Sequence, residues 1–452
     1  MTETSEKSSS FVLQIGTTLG PQEISKVNEI LSTDPLEVPD GGYRAWICVF
    51  GGFMISITCY GVANTFGVFE EYYHANQLSN ESLNNISWIG SLQLCLILLG
   101  GCISGPLCDA GYFKHLIAFG GILFVFSLMM TSISTEYYQF VLSQGVGVGI
   151  AQGALFTPGM AVLAHHFERR LTVVFGIFAS GASIGGVFLP IALQKLFAGV
   201  GFGWGVRILA FIVLACTGTG FVCCTTRLPL GREDMCWIFV FVSFLFRLIQ
   251  MTPRLIFFAV KSPSYTLLVL GSGFIGLGLY PPINFGVVYA TTHGMSQQLA
   301  FYSVAILNAG SFVGRILPNV LAAMFGPLNL LIVSCTISGL MLYVWFTTTG
   351  NAGILAFEAV FGIVSGAYVS CLPAATASLS KKANETGLLL GMMFFSTSFF
   401  WLVSSPIQGA LIGNSETYWP VCVFSGSVVM LGVGFMLVSC LLVRRETLSW
   451  KV

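Results

Sequence analysis

Apolar stretches of about spanning length recur along nearly the whole chain, separated by short polar or glycine-containing breaks. A helix needs about 20 mainly apolar residues to cross a bilayer. The pattern therefore predicts spans near 45–68, 86–107, 116–134, 139–164, 171–193, 205–226, 265–290, 300–325, 327–347, 352–379, 387–412 and 418–443. Residues 1–43 are polar, lack an apolar signal core and read as a disordered cytosolic tail. Residues 228–263 read as a central cytosolic linker and residues 444–452 as a second tail. One stretch breaks the pattern: Met235 to Phe246 runs MCWIFVFVSFLF inside the linker. It is short for a span, and a span there would invert the second half. An interfacial or docked helix fits better, with a gene-model error such as a retained intron as the alternative.

Composition agrees with a lipid environment. The sequence is 55% hydrophobic and 8% charged, against roughly a quarter charged in soluble domains, and its mean hydropathy is +0.84. The formal net charge is +0, so nothing marks a nucleic-acid partner. The 13 cysteines are scattered through apolar stretches without metal-ligand spacing and read as small buried hydrophobes. With the N-terminus inside, all of the 19 Lys and Arg residues fall on the cytosolic side except Lys195, Arg207 and the in-span Arg315. The positive-inside rule then puts both termini in the cytosol of a multi-pass plasma-membrane protein. The sequons at Asn80 and Asn85 fall in the first outer loop, as candidate glycosylation sites. No Walker-type loop, metalloprotease motif or nucleophile elbow occurs, so ATP-driven transport and enzyme chemistry are not expected, and no cofactor or metal is implied.

The two halves repeat. Tyr60-Gly61-Val62-Ala63-Asn64-Thr65-Phe66-Gly67-Val68 matches Tyr280-Pro281-Pro282-Ile283-Asn284-Phe285-Gly286-Val287 with one residue deleted. The fourth and tenth spans are both glycine-rich before Pro158 and Pro373. Leu107-Cys108-Asp109-Ala110-Gly111 after the second span is echoed by Leu321 to Gly326 after the eighth. Duplicated halves with a site between them are the architecture of rocking transporters. The expected fold is an all-α membrane protein with twelve transmembrane helices in two pseudo-symmetric six-helix bundles, residues 44–227 and 264–443.

Pro39-Asp40-Gly41-Gly42-Tyr43-Arg44-Ala45-Trp46 resembles the motif that leads into the first span in the monocarboxylate-porter branch of the major facilitator superfamily. Gly105-Pro106-Leu107-Cys108-Asp109-Ala110-Gly111 resembles the loop motif between the second and third helices of that superfamily. Asn308-Ala309-Gly310-Ser311, Gly314-Arg315, Pro318-Asn319 and Gly326-Pro327-Leu328-Asn329 resemble fungal members of the branch. The resemblance implies alternating access, with Gly105, Asp109 and Asp40 in gating motifs. There are departures. Ala110 stands where the loop motif has Arg, and Ala323-Met324 where the second-half loop has an Asp-Arg pair. Of the three charged groups that animal lactate–proton carriers use, Arg315 matches, whereas Asn64 and Ser311 replace a Lys and an Asp.

Arg315, deep in the eighth span, is a candidate anchor for an anionic or acceptor-rich substrate, because a guanidinium fork suits a carboxylate. The bland alternative is a structural bond to helix-end carbonyls. Glu358 is a candidate proton carrier or an idle buried acid. Asn64, Asn284, Tyr60, Tyr280 and Asn308 are candidate substrate contacts or interhelical packing groups. Pro281-Pro282 must interrupt the seventh span, as a gating kink or a fixed bend. Gly176, Ser180, Gly181, Gly185 and Gly186 form a small-residue face suited to close helix packing. His165 and His166 read as a solvated loop. The expected activity is secondary transport of a small organic acid or related metabolite, leaning to efflux of a fungal secondary metabolite. Proton-coupled uptake of a monocarboxylate or vitamin is the alternative, and a non-transporting nutrient sensor the alternative of another class. The expected partners are the substrate, the lipid bilayer and, as a candidate coupling ion, protons.

Overall fold

The computed structural model describes residues 40–81, 83–226, 262–379, 386–412 and 417–447. Within them twelve helices are long and apolar enough to cross a membrane. They are α1 (Tyr43–Gln77), α2 (Asn85–Asp109), α3 (Phe113–Thr131), α4 (Tyr137–His165), α5 (Leu171–Val200) and α6 (Phe202–Cys223), followed by α7 (Pro263–Thr292), α8 (Gln297–Ala322), α9 (Pro327–Trp345), α10 (Gly350–Ser378), α11 (Thr386–Ile412) and α12 (Trp419–Glu446). The predicted N-terminal tail up to Pro39, most of the linker with its Met235–Phe246 stretch, Lys381, Lys382 and the end of the C-terminal tail lie outside the described residues.

Each half packs in the same way. In the first, α1 lies against α5 and α6, α2 against α4, and α3 against α4 and α6. In the second, α7 lies against α11 and α12, α8 against α10, and α9 against α10 and α12. Every pairing reappears six helices later, so the repeat read from short motifs extends to the whole packing scheme. Large apolar side chains such as Ile122, Phe188 and Val222 stay exposed on the helices, as expected where lipid rather than water is the neighbour. The twelve described cysteines are free thiols, most of them buried.

Glycine sets how closely the helices approach. A Cβ on Gly314 of α8 would fall on the Ile363 carbonyl oxygen of α10, and one on Gly362 would fall on the Leu307 carbonyl oxygen. The small-residue face of α5 packs as expected, on two sides. Gly181 and Gly185 admit Phe53 and Gly61 of α1, while Gly176 admits Arg315 and Asn319 of α8.

The first span is longer than its apolar pattern predicts. Glu70 and Glu71 end the hydrophobic run, but α1 continues to Gln77. Ser87 of α2 donates to the Glu70 carboxyl group, and the helix continues past it as a π-helical turn over Tyr73–Gln77.

We call the face that carries the start of α1, the α2–α3 turn and the start of α11 the base, and the opposite face the rim. The halves meet mainly toward the base: α2 packs on α11, and α5 on α8 and α10. At the rim a hydrogen bond of 3.1 Å from Gln297 to Glu71, both exposed, joins α8 to α1.

Candidate substrate site

The seventh span is two helices, Pro263–Gly278 and Pro281–Thr292, with Leu279 and Tyr280 between them. Pro281 and Pro282 have no N–H, so the carbonyls of Leu277 and Gly278 lose their helical donors. Two side chains of α11 make up the loss at Leu277. Ser404 Oγ and Gln408 Nε2 each donate to its carbonyl oxygen at 2.9 Å. Gln408 is 0% exposed. The prolines therefore make a break in the helix that a neighbouring helix holds in place.

That break puts Tyr280 beside the junction of the halves. Its ring lies 4.4 Å from Trp401 of α11, and Tyr60 of α1 lies 4.6 Å from Phe156 of α4. Phe156 in turn meets Phe178 of α5 at 5.4 Å and crosses to Phe394 of α11 at 5.8 Å. Tyr60, Tyr280 and Tyr368 of α10 are within electrostatic reach of one another, and Arg315 is within reach of Tyr60 and Tyr280. Two residues that match as repeat positions in the sequence thus both feel the field of one buried cation.

Arg315 is 7% exposed. Its Nη1 donates to the Ala179 carbonyl of α5 at 2.6 Å and its Nε to Ser311 Oγ at 3.1 Å. Ser311 is also 3.3 Å from Ser183 Oγ of α5. No carboxylate pairs with the guanidinium among the described residues, and Nη2 makes no hydrogen bond there. Arg315 lies about seven residues, or about 10 Å, from the base end of α8. It stands at the floor of the aromatic group, bound to the first half by a backbone carbonyl.

The asparagines separate into two places. Asn64 and Asn308 converge on Gly186 of α5: a Cβ there would lie 2.8 Å from Asn64 Nδ2 and 2.7 Å from Asn308 Oδ1. Asn308 Nδ2 donates to Val304 O at 3.0 Å. Asn284 is exposed and donates to Ser405 Oγ of α11 at 2.9 Å. An exposed amide in mid-span faces water rather than lipid. The repeat match of Asn64 with Asn284 is therefore one of position and not of contact.

Glu358, 1% exposed on α10, has no hydrogen-bond partner for either carboxylate oxygen among the described residues. It lies about eight residues, or about 12 Å, from the rim end of α10. It forms no ion pair with Arg315.

The motif residues lie at the base. Asp109 Oδ2 accepts from the Leu388 backbone N–H at 2.9 Å, at the start of α11. A Cβ on Gly105 would fall on the Gly387 carbonyl oxygen, so this glycine lets α2 touch α11. Asp40 has a left-handed φ of 48°. Its Oδ1 accepts the backbone N–H groups of Glu168 and Arg169 at 2.7 and 2.8 Å. It caps the turn into α5 within the first half and does not bridge the halves. His165 and His166, expected in a solvated loop, are 5% and 2% exposed. The strand of chain after α6 covers them: His166 Nε2 meets the Thr225 carbonyl at 2.7 Å, and His165 Nδ1 lies 3.3 Å from Thr226 Oγ1. Asn80 is exposed between α1 and α2, whereas the Asn85 amide donates to Glu81 at 2.8 Å.

Reading the sequence by its charges passes over Gln408, Ser404 and Tyr368. It also misses Gln93 and Gln152, which pair across α2 and α4 at 3.0 Å while Gln152 binds the Cys59 carbonyl of α1 at 2.8 Å. A glutamine inside an apolar span is itself a signal, because a buried amide needs partners.

The chain is similar to several fungal transporters. It is 35% identical over 395 residues to the aspyridones efflux protein of Emericella nidulans, covering 87% of this chain and 77% of that one. It is 36% identical over 407 residues to the agnestins efflux protein of Paecilomyces divaricatus, covering 90% and 89%. A transporter of Aspergillus flavus is 36% identical over 401 residues, covering 88% and 87%. The crystal structure of a human organic anion transporter superposes with a TM-score of 0.65 at 11% identity, over 87% of this chain and 99% of that one, which shows a shared fold. The profile of the Major Facilitator Superfamily matches residues 47–358, and with the twelve helices, the repeated packing and the Asp109 loop motif, the chain belongs to that superfamily of membrane transporters.

Proposed function

We propose that the protein exports a small acidic metabolite by alternating access, as a member of the monocarboxylate-porter branch of its superfamily. The carrying observation is Arg315, a buried guanidinium with no carboxylate partner among the described residues, bonded across the junction of the halves to the Ala179 carbonyl. Burying an unpaired cation is costly, and an anionic substrate placed on Nη2 would offset that cost. Tyr60, Tyr280, Phe156 and Trp401 offer flat apolar walls for an unsaturated or ring-bearing body. Asn64, Asn308 and Asn284 supply amides that orient it. The efflux functions named for the aspyridones and agnestins relatives favour the outward direction.

In this reading the base is cytosolic and the rim faces outward across the plasma membrane, following the placement of Lys and Arg. The halves then meet on the cytosolic side, which is the state from which an exporter releases its cargo. Asp109 and Gly105 hold that closure, and Pro281-Pro282 provide the bend. Asn80 is the glycan acceptor; glycosidase treatment should sharpen the wild-type band and leave Asn80→Gln unchanged.

The test is export from fungal cells. Deletion and overexpression strains are compared by mass spectrometry of medium and cytosol for acidic aromatic metabolites. Overexpression should raise the outside-to-inside ratio of at least one of them, and deletion should lower it. Uptake of a carboxylate without any such efflux would overturn the direction. Absence of flux for every acid with nutrient signalling intact would replace transport by sensing.

A further inference from the structure

Glu358 is a buried acid that substrate binding does not use. Both its carboxylate oxygens lack partners among the described residues, and its side chain reaches the rim half of α7. Its Oε1 lies 2.9 Å from where a Cβ on Gly286 would sit. The elements packed around α10 are α5, α7, α8, α9 and α11. Their titratable side chains are Lys195 on α5, Tyr265, Tyr280, Tyr289 and His293 on and beside α7, Tyr302 and Arg315 on α8, and Cys335 and Tyr343 on α9, with Tyr368 and Cys371 on α10 itself; α11 carries none. No charge among them compensates a carboxylate at Glu358. An ionised side chain in this position would be stripped of water with nothing in exchange.

Gly286 belongs to the part of α7 that lies beyond the proline break. That part, Pro281–Thr292, is not continuous with Pro263–Gly278. A helix segment joined through such a break can swing as a unit. Its contact with Glu358 suits a neutral acid. Ionisation would draw water to the carboxylate and press the segment away from α10.

We propose that Glu358 is a proton-binding site that controls the position of the rim half of α7, with Gly286 seated on the neutral acid and displaced from the ionised one. The site takes a proton from the rim side while the halves are closed at the base, and it gives the proton up to the base side once the halves have opened there and closed at the rim. Resting on the export reading above, this makes the protein a proton-linked exporter in which proton entry drives the return of the carrier.

The experiment is infrared spectroscopy of the purified full-length protein in lipid nanodiscs, titrated with pH and without any substrate. Wild type should show a carboxylic-acid carbonyl band at neutral pH that is lost in Glu358→Gln. Isotope-labelled glutamate gives the same assignment without a substitution, should the variant fold poorly. Gly286→Ala places a methyl group against the carboxylate, and its band should disappear at lower pH than in wild type. A wild-type spectrum without a glutamic-acid band at neutral pH would overturn the proposal. So would a band in Gly286→Ala that titrates at the wild-type pH. Failure to find an exported metabolite would leave these spectra unaffected, so the two readings fail separately.

Discussion

Asp109 and Leu388 stand 279 positions apart in the chain and are joined by a hydrogen bond of 2.9 Å, from the Leu388 backbone N–H to the Asp109 carboxylate. The acceptor ends α2 and the donor opens α11, so this bond ties the two halves together at the base. A carboxylate at a helix N-terminus is favoured by the exposed N–H groups and by the helix dipole. Removing it in Asp109→Ala should weaken the closed base by about 1–3 kcal/mol. The balance of states would then shift by roughly 5- to 150-fold toward opening at the base. Alkylation of Cys102, half-buried on the α2 face that meets α11, should accelerate accordingly from that side.

Arg315→Lys keeps the charge and removes the fork. A lysine ammonium can reach Ser311 or the Ala179 carbonyl, and it has no second planar edge to offer a substrate. Transport should fall by roughly 10- to 100-fold, the equivalent of one charged hydrogen bond. Thermal unfolding should change little. Export at the wild-type rate would remove Arg315 as the anchor.

Gly314 faces the Ile363 carbonyl with no room for a side chain. Gly314→Ala must push α8 away from α10 and should lower stability by about 1–3 kcal/mol. Gly434→Ala on α12 is the control, since a Cβ there meets nothing within 4 Å. Thermal unfolding in detergent should separate the two variants by several degrees.

Gln408→Leu withdraws one of the two donors that hold the Leu277 carbonyl. The loss should cost about 1–3 kcal/mol, felt locally at the break in α7. Backbone amides of residues near Ile283 and Asn284 should exchange hydrogen faster, with α1 unaffected. An unchanged exchange pattern would mean that Ser404 alone holds the break.

The spans were legible because lipid enforces length and hydrophobicity, and the repeat was legible because Tyr60 and Tyr280 sit at equivalent points in it. The place of Asp109 in a motif was legible too, but its partner, the Leu388 N–H, lies 279 positions away. What stayed hidden depends on partners distant in sequence. The Arg315 bond goes to a backbone carbonyl at Ala179, which any residue type would provide. The burial of His165 and His166 comes from the chain beyond α6. The repair of the α7 break comes from Gln408, 131 residues beyond Leu277. Asp40 reads as part of a motif, but only its left-handed backbone and the two amides it holds explain why an acid stands before Gly41 and Gly42.

The closure at the base is made largely of main chain. Gly105 and Gly101 of α2 meet Gly387 and Gly391 of α11, and Gly176 of α5 meets the Arg315 carbonyl. Long side chains lose rotamer freedom each time they lock into an interface, and glycine has none to lose. A seam built this way can part and re-form without ordering many side chains at every turn. Repeated cycling therefore carries a small entropic toll, and the few polar contacts that cross the seam are free to decide when it opens.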